Sequence, residues 1–141
     1  MWMIVCLALL FSGGQADLTD LSGAAPVELF DTDKQKVVQT FANSEQFQEQ
    51  AQRILDSVSG RVLELNPSLE KAMIAKIPLA PPKKLVHKPS RLDVDIAEMF
   101  VVMPKKGRRP PWLILITKQH ETVIVEFTHP VDALRRQLGL S

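Results

Sequence analysis

Leu92-Asp93-Val94-Asp95-Ile96-Ala97-Glu98-Met99-Phe100-Val101-Val102-Met103 changes character halfway along. Its first half alternates apolar and acidic residues with a period of two, as a strand with one wet face requires. From Met99 every residue is apolar, as in a strand buried on both faces. Two more apolar runs follow, Trp112-Leu113-Ile114-Leu115-Ile116 and Val123-Ile124-Val125-Glu126-Phe127, joined by the polar connection Thr117 to Thr122. Pro104 to Pro111 links the first strand to the second, with Gly107 supplying a turn. Three successive antiparallel strands, a meander, is the arrangement these spacings predict.

A sheet with apolar residues on both faces needs cover. Ser44 can cap a helix with Glu45 and Gln46 in its first turn, and Phe47, Ala51, Ile54, Leu55 and Val58 then fall on one stripe. Gln48, Glu49, Gln50, Gln52 and Arg53 face outward in that reading, and Gly60 is the stop. A short terminal helix is expected from about Pro130 to Leu138, with Thr128 near its cap and Val131, Leu134 and Leu138 on one side. The predicted class is α+β: an amphipathic helix packed on a three- to four-stranded antiparallel meander, with the terminal helix shielding an edge or the second face. A second face left bare would make a homodimer.

Upstream the signals are weaker. Pro26-Val27-Glu28-Leu29-Phe30 reads equally as strand or helix, and Lys36 to Phe41 leans to helix. Asn66-Pro67-Ser68 breaks the chain, and Leu69 to Ile77 is a short helix or a strand. Pro78, Pro81, Pro82 and Pro89 interrupt the basic stretch Lys76 to Arg91. Proline lacks an amide hydrogen, so this stretch is expected to be extended, partly polyproline II, outside the sheet or along its edge.

The amino-terminal run Trp2 to Phe11 is apolar without interruption, and Ser12-Gly13-Gly14-Gln15-Ala16 follows it. About ten residues reach only ~15 Å as a helix, half a bilayer core. The small residues Gly14 and Ala16 then mark a cleavage site before Asp17. Residues 1–16 thus read as an export signal without the usual leading basic residue, 17–25 as a flexible tether, and 26–141 as one domain. Cleavage would remove Cys6, the one cysteine, and with it disulfides, thiol chemistry and cysteine-bound zinc. A domain exported without disulfides suits a bacterial envelope.

Charge divides along the chain. Residues 17–75 carry ten acidic and five basic side chains, and residues 76–141 carry six acidic and twelve basic. Two basic clusters stand out: Lys83, Lys84, Lys88 and Arg91 in the proline segment, and Lys105, Lys106, Arg108 and Arg109 around Gly107. They flank a strand whose twelve residues span ~35 to 40 Å, so they form either one patch or two opposite ends. Their ligand would be a polyanion, meaning anionic lipid headgroups or wall polymer before nucleic acid. Trp112 is the only aromatic residue nearby, too little for base stacking. Such lysines also serve simply to protect sheet edges from aggregation.

Catalytic signals are thin. His87, His120 and His129 fall in loops or element ends and belong to no nucleophile elbow or His-Glu-x-x-His pair. His120 with Glu121, or His129 with Asp132, would need further ligands to hold a metal. Asp93 and Asp95, with Glu98 after a small irregularity, share a strand face and read as a solvated outer face rather than an acid–base pair. No catalytic residue, metal or cofactor is expected.

The stretches Lys76-Ile77-Pro78-Leu79-Ala80-Pro81-Pro82 and Glu98 to Pro111 are similar to those of small exported proteins of spore-forming Gram-positive bacteria, a group that implies no particular activity. The layout of one helix against a meander is also similar to cystatin-like and PepSY-like modules, many of which bind proteins. The expectation is a non-enzymatic accessory or binding domain of the envelope whose basic loops contact anionic polymer or lipid. The alternative is a protein-interaction module, an inhibitor or subunit, using apolar sheet surface. Terminal sequencing of protein collected outside the cytoplasm should find Asp17 first; a membrane-bound form beginning at Met1 would make the apolar run an anchor.

Overall fold

A computed structural model describes residues 25–63 and 67–140. The proposed signal, the cleavage site Ala16/Asp17 and nearly all of the tether lie outside the described residues. The chain folds as β1 (Val27–Asp31), β2 (Lys36–Phe41), α1 (Glu45–Asp56), β3 (Val58–Arg61), β4 (Ala72–His87), β5 (Leu92–Pro104), β6 (Trp112–Thr117), β7 (Thr122–Phe127) and α2 (Asp132–Gln137), with a 3-10 turn at Lys88–Ser90. Among the described residues all the strands join one seven-stranded sheet in the order β2-β1-β4-β5-β6-β7-β3, and every pairing is antiparallel.

The expected meander is present as β5, β6 and β7, but it is less than half of the sheet. The predicted class therefore needs correction: among the described residues the fold is mostly β, with two short α-helices, and not a helix on three or four strands. Three of the additional strands come from segments whose sequence signal was weak or was read as helix. β1 has all five residues buried because β2 and β4 flank it. β2, rich in β-branched residues, is an exposed edge strand rather than a helix. β3 begins at Val58, where the helix was expected to continue toward Gly60. Ser57 makes the joint abrupt: its backbone N–H and its hydroxyl donate to Ile54 O, and its Oγ accepts from the N–H groups of Thr128 and His129.

The largest correction concerns the proline segment. Lys76 to His87 is the greater part of β4, a sixteen-residue strand between β1 and β5. A central strand tolerates these prolines because none occupies a place where both neighbours require an amide. β1 pairs with β4 only from Met73 to Lys76, so Pro78 lies past the end of that neighbour. Pro81 and Pro82 sit in a bulge where β4 runs from Pro78 to Lys83 while β5 moves only from Glu98 to Ile96. Pro89 opens the 3-10 turn at the hairpin tip.

Beyond Lys76 the outer edge of β4 is served by side chains instead of a strand. Asn43 Nδ2 and Gln48 Nε2 donate to Pro78 O at 2.9 and 2.8 Å. Gln48 Oε1 accepts from Ala80 N at 3.2 Å, and Gln48 Nε2 also donates to Asn43 Oδ1 at 2.7 Å. Gln48, expected to face solvent, thus ties α1 to β4. The helix itself matches the sequence reading: Ser44 Oγ accepts from Phe47 N, and Phe47, Ala51, Ile54 and Leu55 are buried.

α1 crosses one face of the sheet, over a core that includes Val27, Leu29, Ile77, Met99, Val101, Leu113, Leu115 and Val125. Val131, Leu134 and Leu138 around α2 belong to this same core, so the terminal helix does not cover the opposite face as had been allowed. Leu85 and Leu92, on the far half of the β4–β5 hairpin, join it as well. Past the bulge the hairpin bends back over the helix side, and Arg61 of β3 donates from Nε to Ser90 O at 3.0 Å although β6 and β7 separate β5 from β3. The opposite face holds a second core of Phe30, Ile74, Phe100, Val102, Trp112 and Ile114, with Leu69 and Val62 of the β3–β4 connection packed on it.

Gln48→Ala removes one of the two donors at Pro78 and the acceptor of Ala80. Loss of such partly buried bonds costs about 1–3 kcal/mol. Urea unfolding should show a drop of that size with an unchanged m-value; wild-type stability would mean that the edge of β4 is held by something other than this side chain.

Candidate basic site

The two basic clusters occupy opposite ends of β5. Lys83, Lys84, Lys88 and Arg91 surround the β4–β5 hairpin tip, and Lys105, Lys106, Arg108 and Arg109 lie in the loop between β5 and β6. The thirteen residues of β5 stand between them, so they are not one contiguous loop patch.

At the hairpin tip the charges are partly offset. Lys84 lies 3.4 Å from Asp93, and Asp95 is its cross-strand partner. Asp93 and Asp95 do share a strand face, with Glu98 rejoining it after a register shift between Ile96 and Glu98. The face is solvated at Asp93, whose side chain is 68% exposed. His87 Nδ1 contacts Ser90 Oγ at 2.8 Å. Arg91 has a φ of 56°, a left-handed conformation that closes the turn.

The β5–β6 loop is fixed at both ends. Lys105 Nζ donates to Asp31 Oδ1 and to Asp33 Oδ2, each at 2.8 Å. The Asp31 carboxyl also accepts from the backbone N–H groups of Asp33 and Lys34. At the other end the guanidinium of Arg109 lies over the Trp112 ring, 5.1 Å from its centroid. Trp112 is 2% exposed, so its ring offers no open stacking surface. Lys106 and Arg108 are exposed between these anchors. Among the described residues no carboxylate lies within ion-pair distance of Lys83, Lys88, Arg91, Lys106 or Arg108.

Sequence reasoning treated Lys105 and Arg109 as ligand contacts without their internal partners. It also missed the buried charge at Lys76, which stands 3.7 Å from Glu28 and 3.5 Å from Glu98 on the face opposite α1. The imbalance between the two halves of the chain was the available signal, since the Lys105 to Asp31 and Asp33 bridges and the Lys76 to Glu28 bridge all join the acidic half to the basic half.

Ser57, whose Oγ accepts from the His129 backbone N–H, uses its hydroxyl in the helix–strand joint. Among the described residues no group of three or more His, Cys, Asp or Glu is placed to hold a metal ion, and no helix is long and apolar enough to cross a membrane. The apolar sheet surface is occupied: Phe30, Ile74, Phe100 and Ile114 are each 3% exposed or less. The large exposed apolar side chains among the described residues are Val38, Leu63 and Val86. Comparison with protein-family models, curated proteins and solved structures returns no match.

The Lys105 hydrogen bond holds the Asp31 carboxyl below the usual carboxylate range, more than burial raises it, and the N–H groups of Lys34 and Asp33 add to the lowering. The same bonds, to Asp31 and then Asp33, raise the Lys105 ammonium. A depressed carboxylate stabilises the fold above its unfolded value of about 3.9 and ceases to do so as pH falls through its lower folded value. A raised ammonium stabilises below about 10.4 and loses its effect as pH rises through the folded value. Lys105→Met should therefore be less stable than wild type at pH 7, and the gap should close below about pH 4. Denaturant midpoints across that range test it; a gap that persists unchanged into strong acid would remove the ion pair from the account.

Proposed function

We propose that this chain is a non-enzymatic binding domain, exported to the bacterial envelope, which contacts anionic polymer or lipid through its basic loops. The observation that carries this reading is the Lys105–Pro111 loop. Lys105 and Arg109 are used to fix it, and Lys106 and Arg108 are thereby presented to solvent with no carboxylate partner among the described residues. A loop braced at both ends loses less freedom on binding than a mobile one, so more of its electrostatic attraction appears as affinity. Export is supported by the amino-terminal sequence alone.

The bracing also determines which substitutions are informative. Changing Lys105 or Arg109 disturbs the fold's own contacts, whereas Lys106→Gln with Arg108→Gln removes charge from exposed positions that alter stability by less than about 0.5 kcal/mol each. That double variant should melt as wild type does. Its binding to phosphatidylglycerol vesicles or anionic wall polymer at low salt should weaken roughly tenfold or more, since each basic residue near an anionic surface contributes about 1 kcal/mol. Wild-type binding should also collapse as ionic strength rises; equal binding by both proteins would leave the loop a solubility device.

A further inference from the structure

Three connections that are distant in sequence meet at the end of the sheet where β5 stops. The β1–β2 turn is tied to the start of β4 by Thr32, whose N–H and hydroxyl reach Ala72 O at 3.1 Å while its Oγ1 meets Ala72 N at 3.0 Å. The start of β4 is tied to the β5–β6 loop by Lys105 N donating to Lys71 O at 2.8 Å. The Lys105 ammonium closes the set by bridging back to Asp31 and Asp33. Lys34, Lys71 and Lys106 thus stand on three backbones bonded to one another, and all three residues are exposed.

Charge at this end is only partly offset, and basic residues are in excess there among the described residues. Among the described residues its carboxylates include Asp31 and Asp33, which already face Lys105, Glu70 beside Lys71 and Glu126, the cross-strand partner of Trp112. Lys34, Lys36, Lys71, Lys106 and Arg108 are exposed at this end as well. We infer that Lys34 and Lys71 join Lys106 and Arg108 in a single composite surface that binds the phosphodiester groups of a flexible anionic polymer. The inference rests on the polyanion reading above and extends it to the ligand and to two residues outside both sequence clusters. Phosphodiester suits the set because the guanidinium of Arg108 offers a planar fork to phosphate oxygens while the lysines act as point charges. Cations spread over three connections match charges repeated along a chain. A bilayer suits it less, since Val38, Leu63 and Val86, the large exposed apolar residues among those described, lie outside the 32–35 turn, Lys71 and the 105–111 loop.

The test measures binding of poly(glycerol phosphate) to wild type, Lys34→Gln/Lys71→Asn, Lys106→Gln/Arg108→Gln and Lys88→Gln/Arg91→Asn, over a range of salt. Asn is chosen at 71 and 91 because both positions have positive φ, and a thermal melt of each variant verifies folding. The first two variants should lose comparable affinity, and the slope of log K against log salt should fall by about 0.7 for each lost phosphate contact, the value for a flexible single-stranded chain. The hairpin-tip variant should retain the wild-type slope. Full binding by Lys34→Gln/Lys71→Asn beside a weakened Lys106→Gln/Arg108→Gln would overturn the composite surface and leave the loop reading standing. A hairpin-tip variant that loses as much would overturn the single surface. Phosphatidylglycerol vesicles bound in preference to the polymer would replace the polymer by a membrane. Wild type that binds neither probe would remove the polyanion reading itself.

Discussion

The outer edge of β4 beyond Lys76 is the constraint on which the rest of this fold depends. A sixteen-residue strand in the middle of a sheet needs hydrogen-bond partners on both sides, and its neighbour β1 stops early. Proline at 78, 81 and 82 reduces the number of amides that need a partner. Asn43 and Gln48 accommodate the groups that remain at Pro78 and Ala80. The same two side chains seat the first turn of α1 on the sheet, so helix placement and strand continuity have one cause. The bulge that absorbs Pro81 and Pro82 also bends the hairpin, which carries Leu85 and Leu92 back over the helix-side core.

Charge provides a second layer of specification. Glu28, Asp31 and Asp33 in the acidic half meet Lys76 and Lys105 in the basic half. An isolated charge at the buried positions Glu28, Asp31 and Lys76 would be costly, and pairing removes that cost without making the bridges large net stabilisers. What they specify is which strands lie side by side. β1 must approach both the start of β4 and the end of β5, and that requirement draws three connections together at one end of the sheet.

The readable parts of the sequence were those in which local pattern and tertiary context agree. Period-two alternation and unbroken apolar runs located β5, β6 and β7, and the Ser44 cap with the stripe from Phe47 to Leu55 located α1. β1 was ambiguous because Glu28 and Asp31 interrupt its apolar pattern; both are buried beside partners that arrive from distant segments, Lys76 on β4 and Lys105 in the β5–β6 loop. β4 was misplaced because proline content was taken to exclude a central strand, and the side-chain substitutes on α1 leave no local mark. Of the eight basic residues singled out, sequence could find the clusters but not the partners that occupy Lys84, Lys105 and Arg109. Lys34 and Lys71 gave no signal, since only the folded topology places them beside the loop.

Native-state hydrogen exchange resolved by residue is the most direct measurement of the central claim that Ala72–His87 is an interior strand. Ile74 and Ala75, flanked by β1 and β5 and fully buried, should be among the slowest-exchanging amides of the domain, opening only with global unfolding. Exchange of these amides at the rate of the exposed Lys106 loop would contradict the account, because Ala72–His87 would then not be an interior strand of the sheet.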